Sequence, residues 1–217
     1  MIYYINNVFL YWATLLLIGY ASGAVQWAYF ISRYFAKIDI REHGTGNAGA
    51  TNVSRVVGMR IAIIVLVMDV LKTILPMMLV AHIFYGQIWG LQGYQLLTLL
   101  ITGFGVILGH CFPFYLKFRG GKGMASTAGM LLIFDWRILI ICLTVAVFSV
   151  ILFKYVSFAA ILGVIALAIS TTIFYFEYTQ IVVLSWIICV VCLMRHRDNM
   201  RKILLKEETR WEDRKRA

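Results

Sequence analysis

The sequence predicts an all-α, polytopic integral membrane protein of about seven hydrophobic helices, with the N-terminus outside and the C-terminus cytoplasmic. Three observations predict it. Of 217 residues, 62% are hydrophobic and 14% charged, and mean hydropathy is +0.84; soluble domains average about 45–50% apolar and about 25% charged residues. Apolar runs recur near the length of about 20 residues needed to cross a bilayer. The basic residues gather in one alternating set of connecting segments. No linker or low-complexity tract divides the chain, so residues 1–217 are expected to form a single membrane-embedded domain, with a basic cytoplasmic tail at 195–217.

The first run, 8–31, follows an uncharged start without a basic leader region and is expected to be a span rather than a cleaved signal. The second covers 61–84 and the third 94–116. The fourth, 124–134, is too short to cross unaided. A break at Asp135-Trp136-Arg137 leads into the fifth, 138–153. The sixth covers 157–176 and the seventh 178–194. Merging the fourth with the fifth and the sixth with the seventh gives five crossings of the same parity.

Charge sets the orientation. Five Lys/Arg lie in 33–60, three in 117–122, one at Lys154 and nine from Arg195 onward, which is 18 of the 20. These segments are expected on the cytoplasmic side. A net charge of +10 raises nucleic acid as a partner. The segregation of the charge points instead to anionic lipid headgroups and acidic substrates, and no nucleic acid is expected. Cys111, Cys142, Cys189 and Cys192 all sit in apolar surroundings and read as packing residues. A zinc or redox role would need polar access, so no metal site is expected.

Two glycine-rich turns fall on the basic side: Gly44-Thr45-Gly46-Asn47-Ala48-Gly49-Ala50-Thr51-Asn52 and Gly120-Gly121-Lys122-Gly123. Glycine lets backbone N–H groups approach a ligand, and a helix starting after such a turn aims further N–H groups at an anion. Arg41, Arg55, Arg60, Lys117, Arg119 and Lys122 crowd the same segments. Together they suggest a phosphate-handling site at the membrane face, acting on a small phosphorylated molecule and something lipidic.

Each residue also has a plainer reading. Asn47, Thr51 and Asn52 suit turn formation and N-capping. Arg55 lies one helical turn beyond Asn52 and is either a phosphate fork or a headgroup-facing cation. Gly120–Gly123 is not a Walker A loop, because Gly123 stands where Ser or Thr is required. His110, just before Pro113, is either a packed histidine or a functional one. Asp69 and Lys72, at i and i+3 inside a span, are expected to pair. Ser157 passes as an N-cap, and Arg195-His196-Arg197-Asp198-Asn199 as a solvated basic flank.

Taken in order, these segments match a family. The chain resembles the bacterial acyl-phosphate:glycerol-3-phosphate acyltransferases, the PlsY family. The likeness rests on Gly44–Asn52 with Arg55; on Gly109-His110 through Phe112-Pro113, Phe118 and Gly120–Gly123 to Ala125; and on Arg195-His196-x-x-Asn199. Weaker echoes are Asp69-x-x-Lys72, Tyr155-Val156-Ser157 and Glu208-Thr209. Thr45 stands where the family usually has Ser, Thr73 where Gly is usual, Ala48 replaces a commonly larger residue, and Cys111 follows the motif histidine.

The resemblance implies a seven-helix enzyme of the bacterial inner membrane with a cytoplasmic active site. It implies acyl transfer from a fatty acyl phosphate to the sn-1 hydroxyl of glycerol 3-phosphate, the first acylation of phospholipid synthesis, yielding lysophosphatidic acid and inorganic phosphate. It implies no cofactor and a functional link to an enzyme that makes acyl phosphate. The catalytic residues it suggests are Lys122, Asn199, His196 and Asn47. The substrate-binding ones are Arg41, Gly44, Thr45, Gly46, Gly49, Asn52, Arg55, His110, Gly120, Gly121, Gly123 and Ser157. Both reactants are anions, so cations and N–H groups must offset their repulsion. The leaving phosphate is expected to accept the proton, without a covalent nucleophile.

Other classes fit less well. Acyltransferases that use H-x-x-x-x-D need an Asp five beyond a His; here those positions hold Ala48, Gln87, Tyr115 and Arg201. A CDP-alcohol phosphotransferase needs more in-span acids. A small-anion transporter would place its binding turns at midplane rather than at the edge.

Overall fold

A computed structural model describes residues 2–87 and 90–210, with side chains from residue 8 onward. The regular structure of the described residues is all helical, joined by turns and loops. They fall into two compact units, 1–134 and 135–217. The first holds α1 (Ile2–Ala24), α2 (Trp27–Phe35), α3 (Ala50–Val56), α4 (Met59–Tyr85), α5 (Tyr94–Cys111) and α6 (Met124–Phe134). The second holds α7 (Trp136–Phe153), α8 (Val156–Phe174), α9 (Thr179–Arg195) and α10 (Arg197–Leu204).

Five stretches are long and apolar enough to cross a membrane: Val8–Phe35, Met59–Tyr85, Tyr94–Leu116, Trp136–Phe153 and Val156–Phe174. The pair α9–α10, bent by 57°, makes a sixth, and α6 is a shorter apolar helix. The first run departs from expectation. Its helix begins at Ile2, breaks at Val25–Gln26 and resumes to Phe35.

In the first unit α5 is the most buried helix, and α1 crosses it at close range. Gly19-x-x-x-Gly23 on α1 meets Gly105-x-x-x-Gly109 on α5. A Cβ on Gly105 would strike the Leu16 carbonyl, and one on Gly23 the Val106 carbonyl. Small residues let helices approach this closely where no water drives association. Leu10, Leu17, Leu75, Leu79 and Ile83 point outward from α1 and α4, as a lipid-facing surface requires.

The break after Ala24 frees backbone carbonyls in a medium with no water to meet them. Side chains from other helices replace the lost donors. Tyr115 Oη donates to Ala24 O at 2.8 Å, and Lys72 Nζ to Val25 O at 2.8 Å. Pro76 in α4 leaves its own i−4 partner, the Lys72 carbonyl, without an N–H; Ser22 Oγ donates to that carbonyl at 2.6 Å. The broken helix and the proline-bearing helix thus complete each other.

In the second unit Asp135 starts α7. Its carboxylate accepts from Arg137 N at 2.9 Å and from Tyr175 Oη at 2.9 Å, as an N-cap should. The outward row Ile140, Leu143, Val147, Ile151 marks the apolar face of α7. All four cysteines are buried thiols outside any disulfide, in keeping with their reading as packing residues.

Candidate active site

The first glycine turn hangs from a small apolar cluster of Ala28, Ile40, Ala48, Val53, Ala62 and Val65. Asp39 opens a 3-10 turn over Ile40–Glu42 by accepting from Arg41 N at 3.0 Å. The Arg41 guanidinium closes on the Asp39 carboxylate at 2.6 Å, donates to Leu116 O at 3.1 Å and lies over the Tyr29 ring. The hydrogen bond from Arg41, with its positive charge, holds the Asp39 carboxyl below its ordinary value, against a smaller burial effect. Arg41, expected to bind substrate, is here a tie between two loops whose charge is met by Asp39.

Asn52 is likewise committed to its own loop. It is 1% exposed. Its Nδ2 donates to Ile40 O at 3.0 Å and His43 O at 2.9 Å, and its Oδ1 accepts from Thr45 N at 2.8 Å. Asn52 thus shapes the turn that was expected to bind substrate. Gly44 needs its positive φ of 60° and has no room for a Cβ beside Asn52. Thr45 and Gly46 are exposed, Asn47 is half-buried, and Gly49 precedes α3, with its carbonyl accepting from Asn52 N and Val53 N. Arg55 is exposed on α3.

The second turn folds back over the end of α5. Gly121 N donates to His110 O at 3.0 Å. A Cβ on Gly120 would strike His110 O, and one on Gly121 would strike His110 Nε2 and come within 2.8 Å of Ala48 O. The two glycine turns, over 70 residues apart in sequence, therefore meet at Gly121. Gly123, at φ +82°, lets the chain enter α6, where its carbonyl accepts from Thr127 N at 2.7 Å. Lys122 is half-buried at this junction.

His110 is 3% exposed, and its Nδ1 lies 2.9 Å from Lys72 Nζ. Lys72 reaches Asp69 Oδ1 at 2.7 Å, the expected in-span ion pair. His110 is thus an interior histidine beneath the turns. Gln26 was not singled out by sequence reasoning. It is fully buried, and its Nε2 donates to His110 O at 3.0 Å. A glutamine inside an apolar run was the available signal.

In the second unit the tail folds back rather than lying solvated. Glu208 accepts from Ser157 Oγ at 3.0 Å and from Asn199 Nδ2 at 3.1 Å. Arg210 lies over the Tyr155 ring at 6.0 Å. Ser157 is the second residue of α8 rather than its N-cap, which is Tyr155. His196 sits at the α9–α10 bend, 2% exposed, with Nδ1 2.8 Å from Cys192 O. A ring nitrogen facing a carbonyl carries the proton. Glu208 joins Ser157 and Asn199, yet nothing in its sequence context beyond the motif echo marked it. Among the described residues no cluster of His, Cys, Asp or Glu could hold a metal ion.

The fold and these turns define a multi-pass integral membrane protein with cationic, glycine-lined segments at helix ends. The family model for glycerol-3-phosphate acyltransferase matches residues 13–206. Glycerol-3-phosphate acyltransferases from Thermoanaerobacter pseudethanolicus and Staphylococcus aureus are 36% and 37% identical over 194 and 201 residues. Each alignment covers 89% of this chain, with 92% and 95% of those proteins. The crystal structure of PlsY, an integral membrane glycerol 3-phosphate acyltransferase, in its glycerol 3-phosphate form superposes with a TM-score of 0.79 at 26% identity. It covers 92% of this chain and 94% of that one. Its lysophosphatidic acid form gives 0.76. The chain belongs to the glycerol-3-phosphate acyltransferase family, of the PlsY type, and is a membrane-embedded acyltransferase.

Proposed function

We propose that the chain transfers a fatty acyl group from an acyl phosphate to the sn-1 hydroxyl of glycerol 3-phosphate, at the cytoplasmic face of a bacterial inner membrane. The hydroxyl oxygen forms the new ester bond to the acyl carbon. The bond from that carbon to the phosphate oxygen breaks, and the proton leaves on inorganic phosphate. No metal or organic cofactor takes part. The other product is lysophosphatidic acid.

One observation carries this reading: Gly121 lodged against the Ala48 carbonyl, which joins both glycine turns into one basic surface. Lys122 and Arg55 supply positive charge there, and the backbone of Gly44, Gly46, Gly49, Gly120 and Gly123 lets phosphate oxygens come close. Thr45 and Asn47 offer a hydroxyl and an amide. Asn199 and Ser157 serve as orienters of glycerol hydroxyls or of the developing oxyanion, held by Glu208, and His196 is held by its Cys192 contact. The relative solved with glycerol 3-phosphate supports that substrate.

Purified protein in lipid, given acyl phosphate and glycerol 3-phosphate, is expected to release phosphate in step with lysophosphatidic acid. Lys122→Ala and Asn199→Ala are each expected to cut that rate roughly a hundredfold, the scale of losing one transition-state donor, while the protein still inserts. Glycerol 3-phosphate uptake into vesicles without phosphate release would mean a transporter. Equal rates with acyl-CoA would remove acyl phosphate as the donor.

A further inference from the structure

His110 lies between an interior cation and the junction of the two glycine turns. Lys72 Nζ lies among three groups: it pairs with Asp69 Oδ1 at 2.7 Å, donates to Val25 O at 2.8 Å and sits 2.9 Å from His110 Nδ1. A lysine ammonium has three N–H donors and no acceptor. His110 Nδ1 is 3.6 Å from Asp69 Oδ1, too far for a hydrogen bond. Its near neighbour is therefore the ammonium, and an Nδ1–H would point a donor at a donor.

The remaining ring nitrogen, Nε2, faces Gly121, where Ala48 O also converges. Asp69 and Lys72 come from α4, and Cys111 is the neighbour on α5. Gln26 comes from the α1–α2 break and holds the His110 carbonyl. Lys122 is next along from Gly121.

We infer that Lys72 is a positioning residue that fixes His110 with Nδ1 as acceptor and the proton on Nε2, so that the imidazole presents an N–H donor to the meeting point of the two turns. His110 is then an orienter beneath the phosphate surface, acting through the Nε2–H donor. Lys72 acts on the reaction through this ring while also closing the helix break. The kinetic consequence rests on the acyltransferase reading above; the tautomer does not.

Two measurements on the full-length protein in nanodiscs test it. Nitrogen-15 histidine labelling, with the resonance assigned through a His110→Gln sample, is expected to show an unprotonated Nδ1 and a protonated Nε2 at neutral pH. An Nδ1–H tautomer or an imidazolium overturns the inference whatever the enzyme proves to acylate. Kinetically, glutamine places an amide near the Nε2 position and asparagine near Nδ1. His110→Gln is expected to keep at least tenfold more kcat/KM for glycerol 3-phosphate than His110→Asn. Equal or reversed activities overturn the orienting role. Lys72→Met is expected to lose roughly ten- to a hundredfold in kcat/KM, the worth of one hydrogen bond to a charged group, with a change in the His110 nitrogen spectrum. An unchanged spectrum in Lys72→Met also overturns it. Should that variant fail to insert, the wild-type spectrum and the Gln/Asn pair decide.

Discussion

The amide of Asn52 meets three backbone partners at once, two carbonyls and one N–H. An Asn52→Asp change sets a carboxylate against two carbonyls and leaves both without a donor. A buried group stranded in this way costs about 1–3 kcal/mol. The first glycine turn is therefore expected to loosen, raising KM for glycerol 3-phosphate and speeding proteolysis between residues 43 and 49. Unchanged values of both would remove Asn52 as the clamp. Asp39 makes a second residue-scale case. Its folded carboxyl is held below the ordinary value of 3.8, first by the Arg41 hydrogen bond. A depressed carboxyl contributes stability that is present above its unfolded value and lost as pH falls through the folded one. Asp39→Asn should thus weaken the loop at neutral pH. The gap between variant and wild type, read by limited proteolysis, should shrink below pH 3.8. A gap that widens in acid would mean the pair does not hold the loop.

At the scale of elements, apolar runs placed most helices, because membrane length and hydropathy leave few alternatives. The break at Val25–Gln26 was not legible. Its carbonyls are met by Lys72 and Tyr115, partners 47 and 91 residues away, and no local pattern encodes them. The in-span Asp69–Lys72 pair was legible, since a buried ion needs a counter-ion nearby; its reach to His110 was not. The candidate site was half legible in the same sense. Glycine and basic clusters marked the turns, but the internal bonds that Arg41 makes to Asp39 and Leu116 and Asn52 to its own loop were not legible, because spacing does not say which way a polar group turns. The α1–α5 crossing carries its own expectation. Gly105→Ala drives a methyl into the Leu16 carbonyl, and overpacking of this kind costs about 1–3 kcal/mol. A lowered melting temperature in detergent is expected. An unshifted one would mean the helices can slide apart without penalty.

For the whole molecule, the distribution of charge remains the main guide to orientation. Single cysteines in a background cleared of Cys111, Cys142, Cys189 and Cys192, placed at Thr45, Lys117 and Arg201, are expected to react with an impermeant thiol reagent only from the cytoplasmic side. One at Gln92 or Glu177 should react only from outside. Labelling of Thr45 and Arg201 positions from opposite sides would end the proposal that the glycine turns and the tail serve one reaction. The net charge of +10 also favours anionic lipid around the basic segments, where the proposed acyl phosphate would be received.

The reciprocal stitch between α1 and α4 bears on how the protein is made. Ala24 and Val25 leave the ribosome long before Lys72 and Tyr115, the residues that complete them. During synthesis the first span has no partner for those carbonyls and is expected to enter the bilayer as an unbroken helix. The bend is then expected to form only after the third span has arrived, by rearrangement inside the membrane and not at the moment of insertion.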